Sequence, residues 1–250
     1  MSPASQSKGK CFPLLSLLFA FAAASFAQPY DGLILPFRQV TIGSPVEARV
    51  DKLFVREGDQ VESGQLLVRL YSEMERLEAK RAEAAVEKRE FEYKSSKNLF
   101  DEKVISEDEA LESRIELDLA KLTHAMAEER VALRQLKAPI SGVVVERIRE
   151  EGEMVRQSEP VLVLVNIEQV YVQFYVNAKD LAEVRFGRKA AIRIPTLAIQ
   201  EPVVGEIDFI DPRVDAASGL LRVRVKLDNP SGEIKAGVRA TVELLPEAQE

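Results

Sequence analysis

Cysteine and histidine each occur once in the 250-residue chain, as Cys11 and His124, and methionine only four times. Without a second cysteine no internal disulfide can form, so the fold must be held by ordinary core packing. His124 stands between Thr123 and Ala125 with no partner ligands arranged for it, and a surface position is expected rather than a metal-binding one. A methionine-rich copper or silver site is unsupported, since Met1 is one of the four. An excess of positive charge is also missing. The formal net charge of -7 argues against nucleic acid as a partner and against a strong electrostatic grip on anionic lipid. Asp208, Asp211 and Asp215 lie close together, but Asp208 falls in a strand pattern and the others lie beside Pro212 in a turn. With no cysteine or histidine to work with, they read as acidic turn residues, and no enzyme is expected.

Long hydrophobic runs are equally scarce. The one present, Phe12 to Ala24, is preceded by Lys8 and Lys10 and followed by Ser25-Phe26-Ala27, with small residues at the two positions a signal peptidase inspects. Residues 1–27 therefore read as a secretory signal peptide, with a rival cleavage site after Ala24. The run falls short of the roughly 20 residues that cross hydrocarbon, which favours cleavage over retention as an anchor. Cys11 precedes the run, the wrong side for a lipidated N-terminus. Loss of Lys8 and Lys10 would take the net charge from -7 to -9.

What the chain does contain is a duplication. A shift of 94 positions superimposes Pro45, Val50, Glu57, Gly58, Val61 and Leu70 on Pro139, Val144, Glu151, Gly152, Val155 and Leu164 without a gap. Each copy, residues 43–71 and 137–166, reads as short strands around a Glu-Gly-acid turn where glycine permits a backbone that a β-carbon would oppose. Each has a single apolar face. Neither copy can bury that face alone, so the two are expected to close on each other as one small sandwich.

Between the copies, residues 72–136 lack glycine and proline and are crowded with Glu, Lys, Arg and Ala, which is helical material. Ser106 followed by Glu109 forms a capping box, so one helix should end near Phe100 to Lys103 and the next begin at Ser106. Leu119, Leu122, Met126, Leu133 and Leu136 recur at spacings that suit a coiled-coil seam, facing Met74, Leu77, Ala84 and Phe91. An antiparallel hairpin is expected, its arms projecting roughly 45 Å. Beyond the second copy, Val170 to Leu245 alternates cleanly: Val170, Val172, Phe174, Val176; then Ala190, Ile192, Ile194; then Leu221, Val223, Val225, Leu227; then Ala240, Val242, Leu244. Turns punctuate it, and a short helix is expected around Asn177 to Val184. A small closed barrel is indicated, residues 170–245, completed by Leu33 to Ile42. Arg222, Arg224 and Lys226 alternate on one strand, as the solvated face of a half-buried strand does.

The order of these elements, with "VREGDQVESGQLL" in the first copy, "LKAPISGVV" at the return from the hairpin and "GEIDFIDPRVD...LRVRVKLDNPSGEIKAGV" in the barrel, resembles the periplasmic adaptor subunits of tripartite efflux pumps, the membrane fusion or HlyD-like family. The resemblance spans about residues 33–245. It implies a mainly β fold: a split lipoyl-like β-sandwich, an inserted α-helical coiled-coil hairpin and a small β-barrel. It implies a non-catalytic role in the periplasm, in a ring, often a hexamer, between an inner-membrane transporter, of resistance-nodulation-division or ATP-driven type, and an outer-membrane channel. In that family the hairpin tip meets the channel, and the tip motif places a leucine seven residues before a serine. Leu99 and Ser106 keep that spacing, while Ser95 stands where the family has arginine. The docking residues implied are Leu99, Phe100, Val104, Ile105 and Ser106. Such adaptors commonly add a domain after the barrel; with Glu250 five residues past Leu245, the resemblance leaves the pump contact to be made by the barrel or lost. The competing expectation is a periplasmic interaction protein with the adaptor fold that docks a non-efflux partner. Biotin and lipoate carriers use the same sandwich with the modified lysine at a tight turn between the halves. Here 65 residues replace that turn, so no cofactor is implied.

Overall fold

The computed structural model describes residues 29–195 and 201–246, and the expected signal peptide lies outside them. The first repeat copy folds as β2 (Ala48–Leu53), β3 (Gln60–Val61) and β4 (Leu66–Leu70). The helices α1 (Glu73–Asp101) and α2 (Glu107–Ala132) follow. The second copy supplies β5 (Gln135–Lys137), β6 (Gly142–Arg147), β7 (Met154–Val155) and the first part of a long strand, β8 (Pro160–Asn177). The copies are not two blocks pressed together: β2 pairs with β7 and β6 with β3, so each layer contains strands from both. Val50, Val61, Leu67 and Leu70 from one copy and Val144, Val155, Val161 and Leu164 from the other fill one core.

The backbone bonds that join the copies repeat with the sequence shift of 94. Val50 N–H donates to the Glu153 carbonyl (2.8 Å) and Gly152 N–H to the Val50 carbonyl (2.8 Å); their equivalents run from Val144 to Asp59 (3.0 Å) and from Gly58 to Val144 (2.8 Å). The repeated glutamate has a role that pattern alone did not reveal. Glu151 Oε1 accepts the Leu53 N–H at 2.8 Å, and Glu57 Oε1 accepts the Arg147 N–H at 2.9 Å, each carboxylate capping a strand end of the other copy. Gly58 and Gly152 have φ of 90° and 91°, the left-handed backbone expected of the turn. The symmetry breaks at the next turn. Gly64 has φ of 87°, whereas its counterpart Ser158 carries a β-carbon at φ 65°.

The barrel is a closed ring of six antiparallel strands, with β1 (Tyr30–Gly43) beside β12 (Arg239–Leu244), then β9 (Lys189–Arg193), β10 (Val203–Val214), β11 (Leu220–Asp228) and β8, which pairs back onto β1. The alternating residues Val172, Phe174, Ile192, Val223, Val225 and Val242 all point into its centre and are fully buried. Closure leaves this barrel no free edge. The short helix after β8 is a 3-10 turn, Ala178–Glu183, in which Asn177 Oδ1 accepts the Lys179 N–H (3.1 Å). One assignment changes. The sequence reading gives Leu33 to Ile42 to the barrel, but β1 serves both modules: Ile34 lies in the barrel core and Ile42 in the sandwich core. A 14-residue strand is simply longer than one small barrel is tall.

Gly152→Ala should destabilise the chain by about 1–2 kcal/mol, the cost of a β-carbon in left-handed backbone, while Ser158→Gly should stabilise it by up to about 1 kcal/mol. Urea denaturation followed by circular dichroism would read both.

Candidate functional site at the hairpin

The hairpin leaves the sandwich at Leu70 and returns at Gln135, so its base is held by two paired strands, β4 and β5. Ion pairs across the hairpin set an antiparallel register: Glu75 with Arg134, just past α2, Glu78 with Arg130 (3.2 Å) and Arg89 with Glu116 (2.7 Å). Arg134 also donates to the Tyr71 carbonyl at 2.8 Å, tying the end of α2 to the start of α1. At 1.5 Å per residue the 29 residues of α1 extend about 44 Å.

The packed seam is not the one that periodicity indicated. The residues shielded from solvent at alternating spacings of four and three are Ala79, Ala82, Val86, Arg89 and Tyr93 on α1 and Ser113, Leu117, Ala120, His124, Ala127 and Val131 on α2, with Ala82, Leu117 and Ala127 buried. Leu119, Leu122 and Met126 are instead 58%, 62% and 62% exposed, and Met74, Leu77 and Phe91 63%, 51% and 73%. Ala84 is exposed too, and Leu136 is buried in β5 rather than in the hairpin. Each helix carries two stripes of heptad spacing, one that mixes alanines with larger residues and one of large apolar side chains. The strand attachments and the Arg134 contacts fix the rotation of the helices at the base, and that turns the mixed stripe inward. Ala82, Leu117 and Ala127 are buried between the helices, and the large apolar side chains of the other stripe face away. His124 therefore sits in the seam, its side chain 25% exposed and Nε2 3.7 Å from Glu128, and not on the open surface expected of it.

At the tip, α1 ends on Asp101, and Lys103 at φ 61° reverses the chain while the Val104 N–H bonds the Leu99 carbonyl (2.8 Å). The predicted capping box is present: the Glu109 N–H donates to Ser106 Oγ (3.2 Å) and the Ser106 N–H to Glu109 Oε2 (3.3 Å). Glu107, Asp108 and Glu109 add negative charge where the helix N-terminus favours it. Of the residues singled out for docking, Leu99, Phe100 and Val104 are 40%, 39% and 65% exposed, Ile105 is partly buried, and Ser106 is exposed with its hydroxyl engaged in the cap. Leu99 and Ser106 are brought to the two sides of one turn. Ser95, at the position of the family arginine, turns its hydroxyl back to the Phe91 carbonyl (3.0 Å). Beside it Lys94 bonds Glu90 and holds that carboxyl below its ordinary pKa.

Other charged candidates resolve into internal pairs. Arg224 stacks on Tyr171, its guanidinium carbon 3.8 Å from the ring centre, and forks onto Asp208 at 3.2 and 3.1 Å. Arg222 bonds Asp211 at 3.0 Å. Asp211 thus lies on β10 and not in a turn, and hydrogen bonds from Arg213, with the charges of Arg213 and Arg222, lower its pKa. Asp215 accepts from the Ser218 hydroxyl (2.7 Å) and N–H (2.8 Å), which lowers its pKa likewise. Among the described residues no group of three or more His, Cys, Asp or Glu is arranged to hold a metal, and no helix is long and apolar enough to cross a membrane.

Comparison with known proteins follows the same modules. Residues 38–167 match the family model described as RND MFP, barrel-sandwich hybrid domain, and residues 169–248 match the CusB-like, beta-barrel domain. The cobalt-zinc-cadmium resistance protein CzcB of Cupriavidus metallidurans is 27% identical over 202 residues, 75% of this chain and 38% of that protein. The multidrug resistance protein MdtA of Proteus mirabilis is 23% identical over 218 residues, 78% of this chain and 53% of that protein. The chain thus spans between a third and just over half of these two curated relatives. A MacA–MexA chimera containing the Pseudomonas aeruginosa MexA α-hairpin domain shares the fold with a TM-score of 0.78 at 17% identity, covering 88% of this chain and 80% of that one. The membrane fusion protein Spr0693 of Streptococcus pneumoniae does so with a TM-score of 0.71 at 15% identity, covering 87% and 99%. With its sandwich, inserted hairpin and barrel in this order and more than half of its length matched, the chain belongs to the RND membrane fusion protein family.

Proposed function

We propose that the chain is a non-catalytic periplasmic adaptor, exported through residues 1–27, which links an inner-membrane transporter to an outer-membrane channel and lines a duct between them. The transporter is of the resistance-nodulation-division or ATP-driven kind, and energy is spent there. The observation that carries this reading is the hairpin's inverted packing: large apolar side chains lie along its outside and at its tip. In water such a surface is costly unless something covers it. At the tip the cover is the channel, received by Leu99, Phe100, Val104 and Ile105 on a turn that Ser106 caps.

Along the shaft the cover is other copies of this chain. The α1 stripe of Met74, Leu77 and Phe91 and the α2 stripe of Leu111, Ile115, Leu119, Leu122 and Met126 each turn away from the seam. The two stripes are different surfaces on one hairpin. Pairing α1 of one copy with α2 of the next is therefore a heterologous contact, which closes as a ring when its rotation permits. Six copies is the number the resemblance implies. Within that ring the hairpin acts as a two-helix antiparallel coiled coil.

Leu117→Ala should cost about 2–4 kcal/mol in monomer stability, because it opens the seam. Leu122→Ser with Met126→Ser should leave monomer stability within about 0.5 kcal/mol while lowering ring assembly, measured by sedimentation at high protein concentration. A photoreactive residue at Leu99 or Ile105, in the native envelope, should capture an outer-membrane channel, and the same probe on the sandwich surface should not. Capture of the chain alone, or of an unrelated periplasmic protein, would sink channel docking at this tip.

A further inference from the structure

Two strands, β1 and β8, run through both sandwich and barrel, and their pairing is interrupted where they pass between the two. Pro36 lies opposite Val170 and Arg38 opposite Asn166, so the single residue Phe37 faces three, Ile167, Glu168 and Gln169. Such a bulge breaks the ladder and leaves backbone groups to be satisfied elsewhere. Two asparagines supply the missing partners, one from each side. Asn166, 9% exposed, donates to the Ser141 carbonyl of the sandwich (2.9 Å) and accepts the Glu168 N–H (3.1 Å). Asn229, 2% exposed in the barrel's β11–β12 connection, donates its amide to the Ile167 carbonyl (2.7 Å) and its backbone N–H to the Glu168 carbonyl (2.8 Å). Asn229 is itself held at both ends of its amide by Ile234, donating to the Ile234 carbonyl (3.0 Å) and accepting the Ile234 N–H (3.1 Å).

This junction is the floor of a polar cleft of about 910 Å³. One wall, with Gln60, Glu62 and Ser63, belongs to the sandwich; the other, with Ser231 and Lys235, belongs to the barrel. The walls are tied within their own modules: the Ser63 N–H bonds Ser141 Oγ (3.0 Å), and Lys235 bonds the Gly232 carbonyl (2.7 Å). A bulge at the floor and room between the walls define a direction of movement.

We propose that the Ile167–Gln169 bulge is the hinge between barrel and sandwich, and that Asn166 and Asn229 are the clasp that holds the cleft at its present opening. The two asparagines are positioning residues. With the clasp made, the barrel and the hairpin-bearing sandwich move as one body; with it released, the barrel swings across the cleft. Its use rests on the adaptor reading, in which movement at the barrel is passed to the hairpin or withheld from it. Its existence does not.

The test uses the full chain with Cys11→Ser and spin labels on Glu62→Cys and Ser231→Cys, one on each wall. Pulsed dipolar spectroscopy should give one narrow distance in the parent. It should give a distribution about twofold broader after Asn229→Ala or Asn166→Ala, as local opening becomes accessible. A control pair within the sandwich, Glu62→Cys with Glu153→Cys, should stay narrow. Variants that fold by circular dichroism and keep the parent's width would overturn the clasp, as would equal broadening of the control pair. If Asn229→Ala does not fold, Asn166→Ala decides, since it removes only the Ser141 and Glu168 bonds. The distances need no transporter or channel, so failure here leaves the adaptor reading standing, and failed capture at Leu99 leaves the clasp standing.

Discussion

The rest of the molecule depends on the interleaving of two small β copies, neither of which can bury its apolar face without the other. Because β2 pairs with β7 and β6 with β3, the chain must leave the first copy and come back to build the second. Everything inserted between them is thereby anchored at both ends. The same symmetry places the two exits: the chain enters the hairpin after Leu70, and β8 runs on towards the barrel after Leu164, its equivalent 94 residues later. One duplication thus yields a block with a long helical arm on one exit and a barrel on the other.

Anchoring also decides how the hairpin packs. Two helices fixed at the base cannot rotate freely to bury their largest side chains, and the Glu75–Arg134 pair, with the Arg134 bond to the Tyr71 carbonyl, selects one rotation. Partly exposed ion pairs such as Arg89–Glu116 contribute little energy, but they discriminate among registers. The seam buries Ala82, Leu117 and Ala127 and leaves Met74, Leu77, Phe91, Leu119, Leu122 and Met126 outside. Those side chains therefore contribute little burial to the folded chain.

The barrel shows the reverse economy. Its exterior charges are spent on each other, with Arg224 between Asp208 and Tyr171 and Arg222 on Asp211, so a stripe that reads as basic in sequence is largely neutralised in three dimensions. Its conspicuous polar investment is at the junction with the sandwich, where buried asparagine amides complete a backbone that the strand ladder leaves open.

Local and periodic features were legible in the sequence because the physics that sets them is local. The glycine turns at 58 and 152, the Ser106–Glu109 capping box and the inward faces of the barrel strands each follow from a few neighbouring residues, and the 94-residue repeat implied a joint core. The tip was legible as a position, since a cap and a spacing marked it, but its exposure was not. Three things were settled only by tertiary structure. The choice between two heptad stripes on each helix depends on how the strands hold the base. The division of β1 between two cores depends on where β8 and β12 lie. The partners of Asp208, Asp211 and Asn229 sit on strands and turns whose approach no spacing encodes. For the hairpin base, for β1 and for the Asn229–Ile167 bond the deciding contact joins residues far apart in the chain, and for Asp208 and Asp211 it depends on the register of β10 on β11; pattern alone cannot say which of several compatible surfaces will meet.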